Sequence, residues 1–483
     1  MQVSASSGGS AERGWRRPVR ARLLAAAAAL GVVAGLTATP AGAAPGVGVP
    51  SAAGIGVPAA PGVEVPGAPL PTDARVQEAL TELSTAPSAR DEAAWEQARA
   101  QMAEQAPKDF YATPAQIPGT PGTLLRQQPM AFYLDPVQRI QVPARGTRIM
   151  YSSLNAAGQP IAVTGSVLEP TAPWRGRGQR PVIGYAVGTQ GLGDQCAPSK
   201  TLSTGTQYEG VGISALLSAG YTVVVTDYEG LGTAGTHTYM VREAQAHAVL
   251  DSVRAAAAVT DSSVTATSPV ALAGYSQGGG AVAAAAELAG SYAPELQVKS
   301  AYAGAPPADL VQVARALEGG QSAGYLLFAM AGHLAASTLT AEDYLNAAGL
   351  DALERAEQAC TGDASQFAGL DSATLTLSGQ NFPTLVRADA DWAATLAEQR
   401  LGAPGRAPRI PVLITHSLTD DVIPYRVGRE LGLRWCAQGT RVRFDPVFTP
   451  THVGGYIASL PRAMGFLDAT LHERWTPNSC GWF

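Results

Sequence analysis

The chain has 483 residues, 46% of them hydrophobic and 15% charged, with a formal net charge of -6. That balance excludes a disordered protein and suits one large domain with an insertion, or two domains. An acidic chain so poor in lysine also argues against a polyanionic partner, so nucleic acid is not expected.

Residues 1–43 read as an export signal: "ERGWRRPVRAR" is basic, Leu23 to Leu36 is apolar, and Ala41-Gly42-Ala43 offers small residues for cleavage. The apolar run is shorter than the roughly 20 residues that a bilayer crossing needs, so the expected location is extracellular, without a stable membrane span. Arg16-Arg17 hints at twin-arginine export, a match weakened by Pro18. Cleavage would remove five arginines and one glutamate, taking the net charge from -6 to about -10.

Residues 44–72 are almost wholly Ala, Gly, Pro and Val. Such a stretch cannot bury enough side-chain surface to order itself and reads as a flexible tether, with passage through a cell wall as one use for it. Residues 73–110 carry two short helical patterns, with Asp73 and Ser88 as N-caps. After 111, "RIMYSSLN" and "IAVTGSVLEP", parted by Ala157-Gly158, form a hairpin pattern. Strand-like and helix-like runs then alternate: "RPVIGYAV", "ISALLSAG", "YTVVVTDYEG", "MVREAQAHAVLDSVRAAAAV", "SPVALAGY" with its following helix, and "LQVKSAYAGA". This alternation predicts an α/β fold with a mainly parallel central sheet, its first part spanning 111–307.

The alternation stops there, and 308–405 favours helix until "RIPVLITHS" resumes the sheet in 406–483. An insertion at that point would sit above the carboxyl ends of the strands, where ligands bind, which makes it a candidate cap or lid. A separate packing domain is the alternative.

"GYSQGGGAV" places Ser276 between Gly274 and Gly278, in the GxSxG pattern of a strained strand-to-helix turn that exposes a serine hydroxyl. With 53 glycines the pattern arises easily by chance, so the strand before it and the helix after it carry the weight. An α/β-hydrolase requires the chain order serine, acid, histidine. Of six histidines, His237 and His247 precede Ser276, His333 lies in the insertion, and His416 precedes the carboxylates of its own loop. His472 falls in an amphipathic terminal pattern where a surface histidine is the plain reading. His452, in "TPTHVGG" after the strand-like "RVRFDPVF", is the expected base, on a loop.

The acid should follow "RIPVLITHS", where Asp420 and Asp421 stand side by side; neighbouring side chains on an extended loop diverge, and Asp420 is preferred over Asp421. A neutral imidazole can take the serine proton near pH 7, and the aspartate would hold its tautomer. The oxyanion donors would be the amide of Gln277 and one from "YAVGTQGLGDQCAPS", at Thr189 or Gln190.

Four cysteines, Cys196, Cys360, Cys436 and Cys480, suggest two disulfides in an exported chain, with three pairings open. Closing a loop of about 44 residues, as Cys436 with Cys480 would, contributes roughly 4 kcal/mol on chain-entropy grounds. Their spacing fits no compact metal site.

Several segments together resemble the secretory lipases of the lipase A type: "PGTLLR" (Pro121 to Arg126), "GTQGLGDQCAPS" (Gly188 to Ser199), "GYSQGGGAVAAAAELAGSYAPEL" (Gly274 to Leu296), "HSLTDDVIPY" (His416 to Tyr425) and "CAQG" with "TH" (Cys436 to His452). The likeness runs from about Tyr111 to the C-terminus. It implies the α/β-hydrolase fold with a helical cap, Ser276 as nucleophile, Asp420 as acid and His452 as base. It further implies no metal or organic cofactor, disulfides Cys196 with Cys360 and Cys436 with Cys480, and carboxylic ester or lipid substrates met by transient contact with lipid interfaces. The chain departs from many relatives at Val187-Gly188, where they carry His-Gly. A peptidase, thioesterase or polyester depolymerase on the same fold, or a non-catalytic binding module, are the competing expectations.

Overall fold

The computed structural model describes residues 108–483. The expected export segment (1–43), the tether (44–72) and nearly all of the helical segment (73–110) lie outside the described residues.

Nine strands form one sheet: β1 (Leu124–Met130), β2 (Ala144–Leu154), β3 (Pro160–Pro170), β4 (Val182–Ala186), β5 (Thr222–Tyr228), β6 (Pro269–Tyr275), β7 (Gln297–Gly304), β8 (Val412–Thr419) and β9 (Val442–Pro450). Their order across the sheet is β1-β2-β3-β5-β4-β6-β7-β8-β9. β1, β2 and β3 pair antiparallel, as does β3 with β5, and every remaining neighbour pair is parallel. The central strands read as continuous apolar runs because both of their faces are covered: every residue of β4 and of β5 is buried. β1 escapes sequence reading because "LLRQQPM" is a half-exposed edge strand that lacks an alternating apolar face.

Among the described residues, after a single turn at Lys108–Tyr111, eleven α-helices flank or cap the sheet: α1 (Pro198–Thr204), α2 (Gly210–Ser218), α3 (Arg242–Ala256), α4 (Gln277–Tyr292), α5 (Leu310–Leu317), α6 (Gly324–Ala336), α7 (Ala347–Glu357), α8 (Phe382–Ala388), α9 (Ala390–Gln399), α10 (Tyr425–Ala437) and α11 (His452–Leu471). α4 packs on the sheet through glycine and alanine, with Gly278 to Ala286 all buried, so its backbone lies close against β6 and its neighbours. Helices α5 to α9 all fall between β7 and β8. This insertion is tied to the loop after β4 by the Cys196–Cys360 disulfide, and by Leu192 N and Thr361 N donating to Ala359 O (2.9 Å) and Gln190 O (2.8 Å). A second disulfide, Cys436–Cys480, joins the end of α10 to the C-terminal tail.

One expectation needs correction. His452 is not on a loop but is the first residue of α11, with Thr451 as N-cap accepting from Gly454 N at 3.1 Å. Gly454 and Gly455 look like breakers, yet Gly455 is a close-approach position: a Cβ there would stand 2.5 Å from Tyr275 Oη. The helix also runs through Pro461, and His472 lies just past its end rather than inside it.

Candidate active site

Ser276 is the single residue between β6 and α4. Its φ of 61° and ψ of -125° are strained for a residue with a side chain, and such strain persists only where the surroundings enforce it. Here they do. Ser276 N donates to Gly304 O on β7 at 2.9 Å, and Gly280 N donates to Ser276 O at 3.0 Å. The flanking glycines leave no room for a Cβ: one on Gly274 would lie 2.4 Å from Gly278 O, and one on Gly278 would lie 2.0 Å from Ala186 O. The elbow lifts the hydroxyl to a partly exposed position at the carboxyl end of the sheet.

β8 and β9 bring the other two candidates to the same end. Asp420 Oδ2 accepts from His452 Nδ1 at 2.7 Å, while Asp420 Oδ1 accepts from Val422 N (3.0 Å) and Ile423 N (2.8 Å). Burial opposes the charge on Asp420, but the His452 bond and charge, His416 and the Ile423 amide outweigh it, so the carboxyl is held below its usual range. Asp421 Oδ1 accepts from the His452 backbone N at 2.7 Å. His416, which is fully buried, sits 3.5 Å from Asp420 Oδ2 and directs the same Nε2 to Ile423 O at 2.8 Å. Thr451, beside the histidine, has a φ of 67°, a second strained residue at this rim.

His452 is 8% exposed and packs on Tyr275, the neighbour of Ser276, with ring centroids 5.0 Å apart. Tyr275 Oη donates to His452 O at 2.8 Å. With Nδ1 committed to Asp420, the remaining ring nitrogen Nε2 is buried without a hydrogen-bond partner, and no hydrogen bond joins it to Ser276 Oγ in this structure. Catalytic hydrogen bonds are often long before substrate binds.

The Gln277 amide opens α4, and neither it nor the Thr189 amide donates to a protein acceptor among the described residues. Thr189, Ser276 and Gln277 share the wall of a cavity of about 60 Å3 whose far side is apolar, with Val313 and Leu317 from α5 and Leu326 from α6. Gln190 is not in that wall; its side chain donates to Gly188 O at 2.9 Å and accepts from Gln207 Nε2 at 3.0 Å.

Sequence reading set His237 aside because of its place in the chain order, yet it stands directly behind the elbow. Its Nδ1 lies 2.7 Å from Glu229 O and its Nε2 lies 3.0 Å from Gln277 Nε2. A carbonyl only accepts, so Nδ1 carries the hydrogen and Nε2 accepts from the Gln277 amide group. Burial pushes His237 down to about 4 against the pull of the Glu229 carbonyl, which keeps the ring neutral and the Gln277 side chain fixed. Nothing in "TAGTHTYM" shows this contact, which spans 40 residues.

Among the described residues, no group of three or more His, Cys, Asp or Glu side chains is arranged to hold a metal ion, and no helix is long and apolar enough to cross a membrane.

The secretory lipase family profile matches residues 196–478, a span that contains Ser276, Asp420 and His452. A Mycobacterium tuberculosis protein named "Probable inactive lipase" is 28% identical over 370 residues, covering 74% of this chain and 80% of its own length. A secreted triacylglycerol lipase of Malassezia globosa is 28% identical over 310 residues, covering 60% of this chain and 62% of that relative, less than two thirds of it. Among solved structures, the closed state of Candida antarctica lipase A superposes with a TM-score of 0.68 at 23% identity, over 78% of this chain and 88% of that one. The fold is that of an α/β-hydrolase with helices inserted between β7 and β8. The chain belongs to the secretory lipase family.

Proposed function

We propose that the chain is a secreted serine hydrolase that cleaves acyl esters, with Ser276 as nucleophile, His452 as general base and Asp420 as its orienting acid. The observation that carries the reading is the His452 imidazole, held through Nδ1 by a buried carboxylate and left with an unpartnered Nε2 beside the nucleophile elbow. A tautomer fixed in this way presents a lone pair at Nε2, which is what a serine hydroxyl needs in order to become nucleophilic. The reaction requires Ser276 Oγ to meet this Nε2. As Oγ attacks the ester carbonyl, Nε2 takes its proton, and the carbonyl oxygen gains charge against the amides of Gln277 and Thr189. The imidazolium then returns the proton to the departing alcohol. Water, deprotonated by the same Nε2, releases the acid from the acyl-enzyme. Each oxyanion donor contributes about 3 to 4 kcal/mol to the transition state.

The apolar wall from α5 and α6 suits an acyl chain, since each buried CH2 is worth about 0.8 kcal/mol. In this reading the insertion 308–405 is a cap over the acyl site. Hydrolysis of p-nitrophenyl esters of increasing chain length by the chain and by Ser276→Ala tests the proposal; equal rates for the two proteins reject it. The likeness to a relative named as an inactive lipase favours a non-catalytic binding module as the second reading. A fluorophosphonate probe separates the two, because a binding module leaves Ser276 unlabelled.

A further inference from the structure

Beneath the loop after β4 lies a carboxyl group that the reaction does not use. Glu209 immediately precedes α2, is 1% exposed, and accepts from Gly188 N through Oε1 at 3.2 Å. Its other oxygen, Oε2, is buried without a hydrogen-bond partner. Gly188 is wedged between this carboxyl and the elbow: a Cβ on it would lie 3.0 Å from Glu209 Oε1 and 3.3 Å from Tyr275 O, the carbonyl just before the nucleophile. The next residue is Thr189, whose amide is the second oxyanion donor of the proposed reaction.

The rest of this loop is fastened group by group. Tyr228 Oη donates to Val187 O (2.7 Å), Gln190 Nε2 to Gly188 O (2.9 Å) and Tyr208 Oη to Thr189 O (3.0 Å). Thr189 Oγ1 pairs with Tyr239 Oη at 2.7 Å. The Gly188 amide is the one tied to a carboxyl group, and it stands one residue before the Thr189 amide.

We propose that Glu209 is a positioning residue of the oxyanion loop: its Oε1 holds Gly188 against the nucleophile elbow, and its ionisation switches turnover off by placing an anion behind the oxyanion donors. The inference rests on the serine-hydrolase reading above. An anion at this place opposes the negative charge that develops at the Gln277 and Thr189 amides, in a buried setting where water screens little.

The groups that feel its charge are phenols from every element packed around it: Tyr185 on β4, Tyr208 beside it, Tyr228 on β5, Tyr275 on β6, Tyr302 on β7 and Tyr456 on α11. All are pushed up by burial and stay neutral, so none supplies a countercharge. Burial pushes Glu209 itself up to about 8, with the Gly188 amide pulling back.

The test is the pH profile of kcat and KM on a soluble ester for the full chain and for Glu209→Gln, which keeps an acceptor for Gly188 N but cannot ionise. The proposal expects the unmodified protein to lose kcat about tenfold between pH 7 and pH 9 with KM nearly constant, while the Glu209→Gln profile, normalised to its own pH 7 value, stays flat within about twofold. An unmodified protein without this alkaline loss, or a Glu209→Gln variant that retains it, overturns the proposal. Should Glu209→Gln fail to fold, Glu209→Asp retracts the carboxyl by one methylene: a displaced alkaline limb supports the role and an unmoved limb overturns it. Hydrolysis that disappears in Ser276→Ala at pH 7 checks the underlying reading separately, so a flat profile in an active enzyme rejects the role of Glu209 alone.

Discussion

Asp420 and Asp421, adjacent in the chain, hold the same histidine by different atoms: Asp420 takes the imidazole Nδ1 and Asp421 takes the backbone amide, each at 2.7 Å. Two carboxylates that look interchangeable in "LTDDVIP" therefore have separate tasks. One fixes the tautomer of His452, and the other anchors the first amide of α11, an otherwise orphan donor at a helix start.

This division predicts unequal losses. In Asp420→Asn the remaining oxygen is claimed by the Val422 and Ile423 amides, so an NH2 donor faces Nδ1 and imposes the wrong tautomer, and kcat should fall by roughly 10^3- to 10^4-fold. Asp421→Asn keeps an amide oxygen for the His452 backbone and should cost less than about tenfold, a difference that steady-state hydrolysis of a p-nitrophenyl ester measures directly.

The same pair gives a stability prediction with a definite sign. The folded state holds the Asp420 carboxyl below its unfolded value of 3.8, so its contribution is present above that pH and disappears as pH falls through the lower folded value. Thermal unfolding of the native chain and of Asp420→Ala should therefore differ most at neutral pH, with the gap narrowing as the solution is acidified below 3.8. A gap that persists unchanged in acid would contradict the assignment.

Substrate preference should depend on the cap side of the cavity. Val313, 8% exposed on α5, lies in the wall with Ser276, and Val313→Phe places an aromatic ring where an acyl chain would run. The expected outcome is a kcat/KM for long-chain esters that falls at least about tenfold further than for acetate, since apolar pocket contacts of this kind discriminate by about 1–3 kcal/mol. Equal losses across the series would show that acyl chains take another route.

The two disulfides should behave differently. Cys196–Cys360 closes 164 residues and fastens the inserted helices to the loop that carries Thr189 and Gln190, so replacing both cysteines by serine should lower stability by about 2–5 kcal/mol and depress kcat. Cys436–Cys480 closes 44 residues at the far end of α10, and its removal should lower the unfolding temperature with little change in kcat. Parallel unfolding and activity measurements on the two variants decide the matter.

Local chemistry made much of the frame legible. The apolar runs of β4 and β5, the single serine between a strand and an alanine-rich helix, and the hairpin at Ala157-Gly158 are short-range patterns, and each is written within a dozen residues. β1 has no such signature, because an edge strand of mixed polarity carries no alternating apolar face. The start of α11 is hidden locally, because Gly454 and Gly455 look like a turn, whereas the spacing demand on Gly455 comes from Tyr275 Oη, far away in the chain.

The sequence by itself determined the class of fold and the inserted helical segment, and it nominated Ser276, Asp420 and His452 as candidates, because hydrophobic periodicity and chain order are properties of the string. Only the tertiary structure decided that Asp421 takes the backbone amide of His452 while Asp420 takes its ring, that Thr189 rather than Gln190 lines the cavity, and that His237 and Glu209 stand behind the elbow. Those facts are distances between groups tens to hundreds of residues apart, and they exist only once the sheet has closed and water has been excluded around them.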